Sequence, residues 1–142
     1  MRKCTVFFLA LALAAALPAE KRPVVPKGTP AGRPFSPGIL SGGTLYVSGM
    51  VGNDAQGKIP GDFEAEVRQC LDNIGQVLKE GGMSFDNAVT VQVYLTDMDL
   101  FPRMNSVYTT YFKEPRPART TVGVTKLAAP AAHLEITVTA RK

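Results

Sequence analysis

The stretch DFEAEVRQCLDNIGQVLKEGG, residues 62–82, decides the fold. Phe63, Val67, Cys70, Leu71, Ile74, Val77 and Leu78 recur at the spacing of one helical face, Asp62 stands where an N-cap is needed, and Gly81-Gly82 ends the run. A helix apolar along one side has to bury that side against another layer. The segments around it supply that layer. Upstream, Ile39-Leu40, the turn Ser41-Gly42-Gly43 and Thr44–Gly49 read as strand, turn and strand, with Leu45 and Val47 on one face and Tyr46 and Ser48 on the other. Asn53–Gly57 is turn chemistry, and Pro60-Gly61 leads into the helix. Downstream, Val89, Val91, Val93 and Leu95 alternate with Thr90, Gln92, Tyr94 and Thr96, the pattern of a half-buried strand.

Asp97 or Asp99 then opens a second helix through Phe112, with Pro102 in its first turn, where a missing amide costs nothing. Phe101, Met104, Tyr108, Tyr111 and Phe112 build its buried stripe, interrupted by the amide of Asn105. Two strands close the chain. Pro117–Val124 is β-branched and starts from a proline that holds it extended, and Leu134, Ile136, Val138 and Ala140 alternate with Glu135, Thr137, Thr139 and Arg141. The order strand, strand, helix, strand, helix, strand, strand predicts an α+β domain, a single five-stranded sheet with both helices on one face. Nothing in the chain covers the other face, which would carry Tyr46, Thr90, Tyr94, Glu135 and Thr137. A mixed polar and aromatic face of this kind predicts a homo-oligomer.

The 142 residues, 45% hydrophobic and 20% charged, have the composition of one globular domain. Residues 1–19 read as a secretory signal peptide: Arg2 and Lys3 precede an apolar run from Cys4 to Leu17, and Pro18-Ala19 offers a small residue for cleavage. The run falls short of the ~20 residues a spanning helix needs, so the expected location is secreted or periplasmic, with no membrane attachment after cleavage. Residues 20–34, EKRPVVPKGTPAGRP, read as a proline-rich extended leader, and the domain as residues 35–142. Without Arg2 and Lys3, 14 basic side chains face 12 acidic ones with no basic stripe, which argues against nucleic acid as a partner. Only Cys70 remains after cleavage, so no internal disulfide forms, and its place within the apolar face makes it a buried filler.

Several chemistries drop out. His133 is the sole histidine, there is no metal-ligand spacing, no nucleophile-elbow serine and no phosphate-binding glycine loop, so no metal and no cofactor is expected. His133 itself reads as a strand-entry residue. Arg119 remains, a planar fork of donors at the entry of a strand, suited to a carboxylate, together with Glu135, able to hold or activate a water. Such a sparse site fits an easy hydrolysis needing orientation and one placed water. A plain hairpin of the last two strands would leave Arg119 about 15 Å from Glu135 along the strand. Either the strands pair differently or the pocket is assembled between subunits, and the second is the working expectation.

The sequence from Phe35 to Lys142 resembles the Rid/YjgF family of enamine/imine deaminases. PARTTVGVTKLAAPAAHLEITV is similar to its closing signature, and LYVSG, EVRQCLDNIGQVL and VQVYLTDMDLFPRMNSVYTTYF to its other blocks in order. The resemblance implies a chorismate-mutase-like fold, a homotrimer with pockets between subunits, and hydrolysis of 2-aminoacrylate-like enamines and imines to 2-oxo acids and ammonia, as in 2-iminobutanoate/2-iminopropanoate deaminases. It implies that Arg119 grips the substrate carboxylate, that Glu135 positions water, and that Phe35, Ser48, Gly49, Asn105 and Thr121 shape the pocket. Phe35 stands where a tyrosine is frequent and Met50 where a glutamine is common. The rival readings are a non-catalytic trimeric small-carboxylate-binding module outside the cytoplasm and, with less support, a ribonuclease or translation inhibitor.

Overall fold

A computed structural model describes residues 20–142, and the expected signal peptide, residues 1–19, lies outside the described residues. The chain forms β1 (Arg22–Val24), β2 (Gly38–Ser41), β3 (Thr44–Met50), α1 (Phe63–Glu80), β4 (Ala88–Leu95), α2 (Phe101–Tyr111), β5 (Ala118–Gly123) and β6 (Leu134–Arg141). The sheet therefore has six strands, one more than the alternation predicts, in the order β1-β2-β3-β6-β4-β5. All neighbours are antiparallel except β4 and β5, which run parallel and are joined through α2. The additional strand comes from the leader. Three residues are too few to show a period, yet Val24 is buried while Arg22 and Pro23 are exposed.

The helices form where the pattern places them. The Asp62 side chain accepts the Ala65 N–H, capping α1. Asp97 caps a single 3-10 turn, Met98–Leu100, that leads into α2, so neither aspartate caps α2 itself. Val67, Cys70, Leu71, Ile74, Val77 and Leu78 lie fully buried against Leu45, Val91, Val93, Leu95, Leu134, Ile136 and Ala140. The Cys70 thiol donates to the Met50 carbonyl, and burial pushes its pKa far up, which leaves it packed and inert. Arg103 of α2 donates to Glu64 of α1 at 2.7 Å, tying the helices together, and this contact holds the Glu64 carboxyl down at about 2.

Two departures from strict alternation matter. Val89 is half exposed because the β4–β6 register shifts between Ala88 and Thr90. The β3–β6 register shifts between Val47 and Met50, so Ser48 and Gly49 together oppose Thr137, an arrangement that bends the strand and re-aims its side chains. At the β2–β3 turn Gly42 and Gly43 both take positive φ, 55° and 77°, a backbone that a two-residue hairpin turn requires and other residues resist. Tyr46 on the outer sheet face is 53% exposed, and no part of the described chain covers that face.

Candidate functional site

Arg119 lies on β5 directly beside Val91 of β4, in parallel register. Residues paired in this way point to the same side, so Arg119 shares the helix side with the buried Val91. There α2 meets it. Phe101, Asn105 and Tyr108 follow one another at i, i+4 and i+7 along α2, and the Arg119 guanidinium lies 4.5 Å from the centre of the Tyr108 ring and 5.6 Å from that of Phe101. The aromatic shelf holds the guanidinium in place. No ion pair joins Arg119 to an acid among the described residues. Arg116, which shares its cleft, is engaged by Glu114 and by the Phe112 carbonyl.

The cleft, about 260 Å³, is lined by Asn105, Tyr108, Thr109, Arg116, Pro117 and Arg119. The structure thus brings two of the predicted site residues, Arg119 and Asn105, to one concavity. Thr121, two residues along β5 on the same side, has a buried hydroxyl with no hydrogen-bond partner among the described residues, and so does Tyr108. Burial raises the Tyr108 phenol pKa, against the pull of the Arg119 charge, so the hydroxyl stays protonated. The sequence pattern places Tyr108 in the core, and its ring is there, stacked on Phe112. Its second role, as a shelf for Arg119, becomes visible only with β5 in place.

Glu135 sits elsewhere. On β6 it pairs with Tyr94 of β4, three positions along the strand from the level of Arg119 and on the outer sheet face. With β4 between β5 and β6, the two residues are separated by roughly 10 Å along the strands and roughly 10 Å across them, on opposite sides of the sheet. The expectation that no plain hairpin unites them holds because β5 and β6 are not neighbours at all. The Glu135 carboxylate lies over Gly49: a Cβ built on Gly49 would stand 1.9 Å from Oε1 and 2.8 Å from Cδ. Gly49 is thus a cradle for that carboxylate. Ser48 spends both its groups on the preceding segment, its Oγ donating to the Ser36 carbonyl at 2.7 Å and its N–H to the Pro37 carbonyl at 2.9 Å. Those bonds hold Phe35, half exposed, at the rim of a second cleft, which Gly49 and Met50 also line.

A residue absent from the predicted site anchors the start of β6. Glu66 of α1 is fully buried, its Oε1 accepting the His133 N–H at 2.7 Å and, more weakly, the Leu134 N–H, while Oε2 lies 2.8 Å from His133 Nδ1. His133 is the strand-entry residue expected of it. Glu66 was legible in principle, since position 66 falls on the apolar stripe of α1 and a charge there signals a buried partner.

The family model described as Endoribonuclease L-PSP matches residues 27–142. A 2-iminobutanoate/2-iminopropanoate deaminase of Bos taurus is 41% identical over 96 residues, covering 66% of this chain and 70% of that protein. A RutC family protein of Aquifex aeolicus is 38% identical over 112 residues, covering 77% and 89%. Among solved structures, a protein of unknown function of the conserved Rid family from Yersinia pestis superposes with a TM-score of 0.81 at 33% identity, over 87% of this chain and all of that one.

Proposed function

The chain belongs to the endoribonuclease L-PSP family, the Rid/YjgF proteins, and from that premise we propose that it hydrolyses reactive 2-imino acids, and the enamines that tautomerise to them, to 2-oxo acids and ammonia. The observation that carries this reading is Arg119, a cation held on an aromatic shelf in a cleft, its donors committed to no acid of the described chain. It suits the carboxylate common to all 2-imino acids. Mammalian relatives bearing the deaminase name, about 40% identical, support the same class.

In the proposed step the substrate carboxylate sits on the Arg119 fork, and Glu135 accepts a proton from water as the water oxygen bonds to C2. The C=N electron pair moves to nitrogen, which takes up a proton. The resulting carbinolamine collapses as its hydroxyl proton passes to the amine nitrogen, C=O forms, the C–N bond breaks and ammonia leaves. Since Arg119 and Glu135 face opposite sides of one sheet, the complete site joins the Arg119 cleft of one copy to the Glu135 face of the next. A closed homotrimer, its outer sheet faces turned inward, supplies that junction and covers Tyr46. If residues 1–19 direct export, the substrate is an imine present outside the cytoplasm.

The test is ammonia and 2-oxo acid release from freshly generated 2-aminoacrylate and bulkier 2-imino acids, with buffer as reference. No acceleration for any imine sinks the enzyme reading and leaves a carboxylate-binding module that uses the same arginine. Gly49→Ala provides a finer check. The new methyl would drive the Glu135 carboxylate from its cradle, so kcat is expected to fall about 100-fold, the scale of a misplaced catalytic group. Because only the end of a flexible side chain has to move, thermal unfolding should change little, and a large loss of stability instead would contradict this account.

A further inference from the structure

The leader is built into the domain. β1 pairs with β2, Arg22 against Leu40 and Val24 against Gly38, and Val24 joins the core at 1% exposure. The chain then turns at Pro26, whose carbonyl accepts both the N–H and the hydroxyl of Thr29, and runs back over α1 to Phe35. Beneath it lies a cleft of about 540 Å³. Much of the polar lining is spent: Gln69 donates to Asn73, Asn73 to the Val51 and Asn53 carbonyls, and the Asp54 carboxylate accepts the backbone N–H groups of Gln56 and Lys58. Two cations are not. Lys27 and Arg33 line the cleft with no ion pair among the described residues, and the Arg33 guanidinium lies 5.8 Å from the centre of the Phe35 ring. The same cleft reaches Gly49, on which the Glu135 carboxylate rests.

We propose that this cleft is a subsite for a second carboxylate, so that the favoured substrates are 2-imino diacids, whose side chain ends in an acid. The inference rests on the deaminase reading and names its substrate class. The substrate's first carboxylate is taken by Arg119 of the neighbouring copy, C2 stands over Glu135, and the side chain extends past Phe35 toward Arg33 and Lys27. Phe35 leaves no hydroxyl there to compete for the incoming acid, and its ring holds the Arg33 fork at the rim.

The experiment compares the 2-imino acids made in situ by an amino-acid oxidase from glutamate and from its uncharged isostere glutamine, with ammonia release in excess of the oxidase alone as readout. The full chain is expected to favour the acidic imine in kcat/KM by about fivefold, the scale of one exposed charge pair, and to lose that preference in high salt. Arg33→Gln should bring the ratio near unity and Arg33→Glu should reverse it, with Lys27→Gln acting in the same direction by less. Both imines accelerated, with a ratio that Arg33→Glu leaves unmoved, overturns the subsite and leaves the deaminase standing. Acceleration of neither imine, nor of 2-aminoacrylate, overturns both.

Discussion

Mixing equal amounts of Arg119→Ala and Glu135→Gln protein is expected to raise deamination above that of either alone, to about one quarter of the unsubstituted rate when subunits assort at random in a closed ring. Each variant by itself lacks one half of every site. Loss of the charge-assisted carboxylate contact at Arg119 alone is worth about 1.5–3 kcal/mol, or roughly 10- to 150-fold in kcat/KM. The expectation of rescue follows from geometry: Arg119 faces α2 beside β5, Glu135 faces outward on β6, and β4 stands between them. In a shared site the intact arginine of one subunit can meet the intact glutamate of the next. Ammonia release after subunit exchange or joint refolding reads the result directly. Two folded, assembled variants that never complement would put the arginine and glutamate to work in separate places and remove the shared site.

Glu66→Ala is expected to cost about 3 kcal/mol of stability, because it strips the acceptor from the His133 and Leu134 N–H groups and leaves a hole in a fully buried place. For a domain of this size that lowers the melting temperature by roughly 10 °C, measurable by calorimetry or circular dichroism. Glu66→Gln keeps an acceptor oxygen toward the backbone and should cost markedly less. The pair also separates two roles. If Glu66 served only as a charge for His133, the glutamine variant would be as damaged as the alanine one, and His133→Ala would match both; if it anchors the entry to β6, glutamine rescues it.

Much of the fold was open to reading in one dimension. The face of α1 from Phe63 to Leu78 and the alternation from Leu134 to Ala140 both record, residue by residue, which side meets the core, and the structure buries those sides. Where alternation failed, a ladder irregularity was responsible: Val89 sits at one register shift, and Ser48 and Gly49 occupy the other. β1 escaped notice because three residues with Pro23 at their centre hold too little pattern, and what makes them a strand is the free edge of β2. The partners of Glu66 lie 67 and 68 residues away along the chain, so the local pattern of α1 does not name them.

For the site, the residue types were legible and their relation was not. Arg119, Glu135 and Asn105 announce carboxylate binding, water handling and polarity within an aromatic helix, since these are properties of single side chains. By itself the sequence determined the secondary elements, the buried faces and the chemical inventory, because polarity and backbone preference are written locally. The tertiary structure alone decided that β4 separates β5 from β6, that Tyr108 and Phe101 form a shelf under Arg119, that Gly49 cradles Glu135, and that the leader roofs a cleft carrying Arg33. Those relations depend on which strand edges pair and in what register, and pairing is settled by hydrogen bonds and packing between segments far apart in the chain.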